Sequence, residues 1–386
     1  MRGKLPPKYP IGPEVIVFLS EWKTLNAGRK KLIAAVSLTV IGMYAMAVSS
    51  AVVKLRNDRV AEQQLHQARM GTNSVESGLT PPDPLPSEGE FVTVTIGTYV
   101  DSITNLSIRE STWSGEFYVW FSWKGSKDLD PGGKLVLVNG SILNKQLLED
   151  YHGDDGVNYQ RYRIAARFQE LFSTALIPVE RPMLNINIED GARDGSTIRY
   201  AADSAANISS RARTPGYTVA GMSTVVKPHT YRTSYGDPRK QADQRATFSQ
   251  YVVGITLART SLGVYFKIFL CLYAALALAL ANFYIKPVDV SPRFAMPSAS
   301  YFGIVANYFV INSVLPPSNT FGLVDIVTTV GLGTVFLSVA LSLAANYFYD
   351  RRGEPQTARA LDGVMFYTVT LCSVVANIAI PASAIL

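Results

Sequence analysis

An extracytoplasmic antiparallel β-sandwich followed by a four-helix transmembrane block, with one additional N-terminal transmembrane helix, is the fold class that this 386-residue sequence predicts. Two observations carry the expectation. Leu32–Val53, the run from Lys267 to Ile285, Pro297–Val324, Ile326–Tyr349 and Gly363–Leu386 have no charge between their ends, and each approaches or exceeds the roughly 20 residues a helix needs to cross about 30 Å of hydrocarbon. Between the first of these windows and the other four, the hydrophobic period becomes that of strands. Helix is the spanning form to expect, because a lipid-facing strand leaves its backbone groups unpaired. Pro297–Val324, which contains Asn307 and Asn312, would by itself also fit a soluble core. Four near-consecutive windows do not.

Taken in order, residues 1–28 form a short cytoplasmic segment and 29–53 the N-terminal membrane helix. A cleaved signal sequence is the rival for that helix, with small residues near Ala45 and Ala47. The run is nevertheless longer than the roughly 7–15 apolar residues usual there, so an uncleaved anchor is preferred. Residues 54–89 are a linker: its polar stretch NDRVAEQQLHQARM can continue the helix, and the proline cluster in GLTPPDPLPSEGE breaks regular structure.

Residues 90–259 supply the sandwich. FVTVTIGTYV, EFYVWFSW, RYRIAARF, MLNINIE, GYTVAGMSTVV and ATFSQYVVGITLAR have the alternation or the β-branched and aromatic content of strands. Many short strands need two facing sheets to bury their apolar faces. Acidic LLEDYHGDDG reads as a solvated loop in preference to a divalent-cation site, since adjacent Asp154 and Asp155 reproduce no calcium-loop spacing. Residues 260–386 are the four-helix block. The only cysteines, Cys271 and Cys372, fall in this block, which excludes a disulfide scaffold for the sandwich.

The net charge of +6 is placed for membrane topology and not for nucleic acid. Arg29, Lys30 and Lys31 precede the first helix, Lys286 and Arg293 bracket one connection, and Arg351, Arg352 and Arg359 fill another. The positive-inside rule makes these cytoplasmic and LPPSNTFG external. Lys54, Arg56 and Arg59 oppose that bias locally. The expected location is a cell membrane, specifically a bacterial inner membrane with the β domain periplasmic, and membrane lipids are expected partners.

Four segments are similar to those of the pentameric ligand-gated ion channels, the Cys-loop receptor superfamily with its prokaryotic members. EFYVWFSWKG at Glu116–Gly125 resembles that family's strand with spaced tryptophans, here Trp120 and Trp123. LIPVERPMLNINIE at Leu176–Glu189 resembles its loop facing the membrane, with Pro178, Glu180, Arg181 and Leu184 at corresponding places. Arg259 matches the basic residue ending the last strand. VSPRFAMPSASYFGIVANYFVINSVLPPSNTFGLVD resembles the second channel helix, its outer turn and the start of the third. The resemblance spans roughly Phe91–Leu386. Flanking cysteines are absent, Glu180 replaces an aspartate, Pro182 replaces a glutamine, and the first channel helix lacks its usual proline.

The resemblance implies a homopentamer with one helix of each subunit around a pore. By the family pattern Ala295, Ala299, Phe302, Ala306, Phe309 and Ser313 line it. Phe302 and Phe309 would then be hydrophobic constrictions, or alternatively helix-packing residues. A rotated helix would present Ser298, Tyr301, Val305, Tyr308 and Asn312 instead. Glu180, Arg259, Pro316 and Pro317 are implied for gating-coupling. Tyr231 and Tyr235, in KPHTYRTSYGDPRKQ, are implied for a small-molecule or ion ligand, unless they simply pack on the sheet. Asp325 and Lys267 would be costly against lipid and should meet a neighbouring helix, water or a polar loop.

The leading function is thus a channel gated through its β domain by a small ligand or ion. The alternative is a nonconducting receptor-like sensor or assembly subunit. No glycine-rich phosphate loop, Cys/His metal cluster or convincing triad occurs in the sequence, so neither a catalytic residue, a metal nor a cofactor is expected.

Overall fold

The computed structural model describes residues 22–76, 78–85, 90–233, 245–315 and 320–385. Tyr235, Pro316 and Pro317 lie outside the described residues. The chain divides into two compact units, one of residues 1–56, 265–313 and 321–386 and the other of residues 57–264 and 314–320.

Helix α1 runs Ala27–Met70. It therefore continues through the polar stretch NDRVAEQQLHQARM, and its residues from Asn57 onward belong to the β-rich unit. In that unit one sheet has the order β4 (Gly140–His152), β5 (Val157–Gln169), β2 (Thr112–Lys124), β1 (Val92–Ser107), β7 (Ile198–Ala202), with β8 (Asn207–Ile208) also on β1. The second has the order β3 (Leu135–Leu137), β6 (Met183–Asp190), β10 (Ala246–Arg259), β9 (Tyr217–Tyr231). Pairing is antiparallel except that β7 and β8 run parallel to β1.

The alternation seen in the sequence sorts these strands into faces. Val94, Ile96, Val119, Phe121 and Ile164 of the first sheet share one core with Leu184, Ile186, Ile188, Tyr251, Val253 and Ile255 of the second. Trp113 closes one part of it, stacked on Phe168 at 4.3 Å. Trp120 lies on the opposite face of β2, over its cross-strand partner Gly97, and donates from Nε1 to Asp203 at 2.7 Å.

One expectation changes here. LLEDYHGDDG is not all loop: Leu147–His152 belongs to edge strand β4, and the turn is confined to the residues before β5. Both faces of β4 are open, so Leu143, Leu147, Leu148 and Tyr151 stay exposed and no alternation marks the strand. Asp154 and Asp155 are exposed.

The other unit holds the membrane part of α1 with α2 (Gly263–Ala281), α3 (Val290–Val314), α4 (Leu323–Asp350) and α5 (Pro355–Ile385). Five helices among the described residues are long and apolar enough to cross a membrane, and the chain is a multi-pass membrane protein. Small and polar side chains hold the helices together, as expected where lipid offers no hydrophobic drive. Tyr44 of α1 shares a 2.6 Å hydrogen bond with Thr334 of α4. Ser342 donates to Asn282 at 2.7 Å, and a Cβ on Gly303 of α3 would lie 3.5 Å from the Ala275 Cβ of α2.

Candidate functional site

Within the β-rich unit, Glu180 is the centre of a buried polar cluster. The segment before β6 turns through Ala175, Leu176 and Ile177, all buried, with a cis Ile177–Pro178 bond. That apolar turn carries Glu180 inward, where it is 1% exposed. Its Oε1 accepts from Arg259 Nη2 at 2.6 Å and from the Tyr217 hydroxyl at 2.5 Å. Arg259 and Tyr217 are cross-strand partners on β10 and β9, which sets the guanidinium 4.2 Å from the Tyr217 ring centroid, a cation–π contact. Burial and the neighbouring carboxylate push the Tyr217 phenol far above its ordinary range, so it remains a donor. The expected approach of Glu180 to Arg259 is present. Tyr217 was not singled out from the sequence, although its place opposite Arg259 in a hairpin was a usable signal. Glu62 was also passed over; it sits buried in the α1 extension.

Near the other end of the β9–β10 hairpin, Glu189 is buried and well satisfied. Its Oε1 accepts from Gln250 at 2.7 Å and faces His229 Nδ1 at 2.6 Å, and its Oε2 accepts from Tyr231 at 3.0 Å. The Tyr231 ring packs edge-on against His229 and Phe248, with centroids 4.5 and 5.3 Å apart. Tyr231 is thus held against the sheet by both its ring and its hydroxyl.

Within the helical unit, α3 has two distinct faces. Arg293, Pro297, Ser300, Ile304, Asn307 and Ile311 are buried. Ala295, Ala299, Phe302, Ala306, Phe309 and Ser313 are all exposed, with Phe302 and Phe309 each 69% accessible. The rotated set is mixed: Ser298, Tyr301 and Asn312 are exposed, Tyr301 also meeting Phe336 at 6.0 Å, whereas Val305 and Tyr308 are half-buried and Tyr308 donates to Asp325 at 3.1 Å.

Arg293 fixes this orientation. It is completely buried, and its two terminal nitrogens engage the two carboxylate oxygens of Asp362 on α5, with Nη1 also donating to the Ile285 carbonyl at 2.8 Å. A fork-to-fork pair of this kind sets angle as well as distance. Asp325 caps α4, its Oδ2 accepting from the Gly322 amide at 2.9 Å, a favourable place for an anion at a helix start. Lys267 is exposed one turn into α2. Among the described residues no group of three or more His, Cys, Asp or Glu could hold a metal ion.

These features define a multi-pass membrane protein with a two-sheet β domain and four further apolar helices after it, an architecture of the kind found in pentameric ligand-gated channels. No family model and no curated protein matches the chain.

Proposed function

We propose that the chain is the subunit of a homopentameric ion channel in the cell membrane, gated through an extracytoplasmic β domain by a small ligand or ion. The observation that carries this reading is the division of α3: its buried face is anchored by Arg293 while the face of Ala295, Ala299, Phe302, Ala306, Phe309 and Ser313 has no covering among the described residues. Five copies around an axis would turn that face into a pore lining, since a single four-helix block has no lumen of its own. The alanines leave width, and the rings of Phe302 and Phe309 narrow it. Such apolar constrictions gate by dewetting.

In this reading Glu180 and Arg259 couple the domain to the helices, with Pro316 and Pro317 as the receiving turn. Tyr231 and Tyr235 belong to the hairpin that closes over a ligand at the subunit interface. The basic connections lie on the cytoplasmic side of a bacterial inner membrane, the β domain is periplasmic, and the protein performs no catalysis.

Purified protein in planar bilayers tests the proposal. A pentameric mass together with unitary currents that change in Phe302→Ala supports it. Pentamers silent across pH, divalent cations and a broad small-molecule panel support instead a nonconducting receptor-like sensor or assembly subunit.

A further inference from the structure

The outer face of the β6–β10–β9 sheet bounds a cavity of about 720 Å³, open to solvent and flanked by the end of α1 and the proline-containing segment after it. A volume of this order suits a small organic ligand. The cavity is independent of the pore reading and lies within the β-rich unit.

Its charges are unevenly committed. Arg69, at the end of α1, holds two carboxylates, Glu170 at 2.5 Å and Glu76 at 3.3 Å. Lys227, reaching in from β9, has one hydrogen bond, to the Arg69 carbonyl at 2.9 Å, and no ion pair within 4.0 Å among the described residues. Burial holds its ammonium below the usual lysine range, opposed by the more distant Glu76. Apolar wall is supplied by Leu79, Val138 and Val252.

From this arrangement we infer that the cavity binds a small organic carboxylate, its carboxylate on Lys227. A carboxylate gives the ammonium the charge-assisted partner it lacks. The apolar body of the molecule lies along Val138 and Val252.

The test uses the full-length protein in lipid nanodiscs, titrated with 4-hydroxybenzoate and its uncharged isostere 4-hydroxybenzamide, with binding followed by ligand-observed NMR. Saturable binding of 4-hydroxybenzoate is expected, with the amide weaker by about tenfold or more. Lys227→Gln should remove the preference for acid over amide, Lys227→Arg should keep it, and Val138→Trp should block both probes. Equal affinity for acid and amide, no saturable binding of the acid, or binding indifferent to Lys227→Gln or Val138→Trp would each overturn the inference. Should Lys227→Gln lose its thermal unfolding transition, Lys227→Arg decides: a retained preference for the acid supports the site, and a lost preference rules it out.

Discussion

Arg259 and Glu180, 79 residues apart in the chain, meet through a 2.6 Å charge-assisted hydrogen bond that also enlists Tyr217. Glu180 Oε2 is buried with no hydrogen-bond partner among the described residues, so the carboxylate depends on the bonds to Oε1. Arg259→Met should cost about 3–5 kcal/mol, the usual loss when one side of a buried pair is removed. Tyr217→Phe should cost about 1.5–3 kcal/mol, as for a hydrogen bond to a charged group. Denaturant unfolding of the purified protein measures both. Pairing Arg259→Met with Glu180→Gln should cost less than the sum of the singles, because the contact can be lost only once; strict additivity would contradict the geometry.

Arg293 and Asp362 pose the same question inside the helical unit. Removing either alone leaves a buried charge, whereas replacing both with apolar residues of similar volume removes that penalty. Arg293→Met or Asp362→Leu should therefore lower the thermal transition strongly, and the double variant should recover most of the loss. A double variant less stable than either single would show that the ion pair itself stabilises the fold.

Glu170 should make the β domain pH-sensitive. Burial raises its carboxyl from 4.5 to about 7, with Arg69 opposing the shift. The folded state then binds more protons than the unfolded state between those values, so stability falls as pH rises through this window. This contribution is full below about 4.5 and gone above about 7. Subtracting the pH profile of Glu170→Gln from that of the parent should isolate a component that declines with rising pH; a component of opposite slope would contradict the assignment.

Gly97 lies opposite Trp120 on the neighbouring strand, and a Cβ there would fall 2.4 Å from the indole. The ring is held by Asp203 and has little freedom to yield. Gly97→Val should cost about 1–3 kcal/mol through overpacking and should shift the tryptophan emission as the ring is displaced. Unchanged emission with parental stability would contradict the contact.

The sequence made the alternating strands legible. ATFSQYVVGITLAR matches β10 at both ends because Tyr251, Val253, Ile255 and Leu257, at every second position, all lie in the core. Edge strand β4 escaped notice because neither face is buried, and β3, β7 and β8 are too short to establish a period. Ala295, Ala299, Phe302, Ala306, Phe309 and Ser313 do fall on one exposed stripe, three or four residues apart as helical spacing demands. The cavity was not legible. Arg69, Glu170, Asn187 and Lys227 come from four separate stretches, and only the docking of α1 onto its own sheet assembles them.

The central claim concerns the direction in which α3 faces. With Cys271 and Cys372 replaced by alanine, single cysteines at Phe302, Ala306 and Ile304 can be exposed to a water-soluble thiol reagent while current is recorded. Modification at Phe302 and Ala306 that blocks the current, with no effect at Ile304, is the predicted result. Block through Ile304, or reaction at none of the three in a conducting assembly, would contradict it.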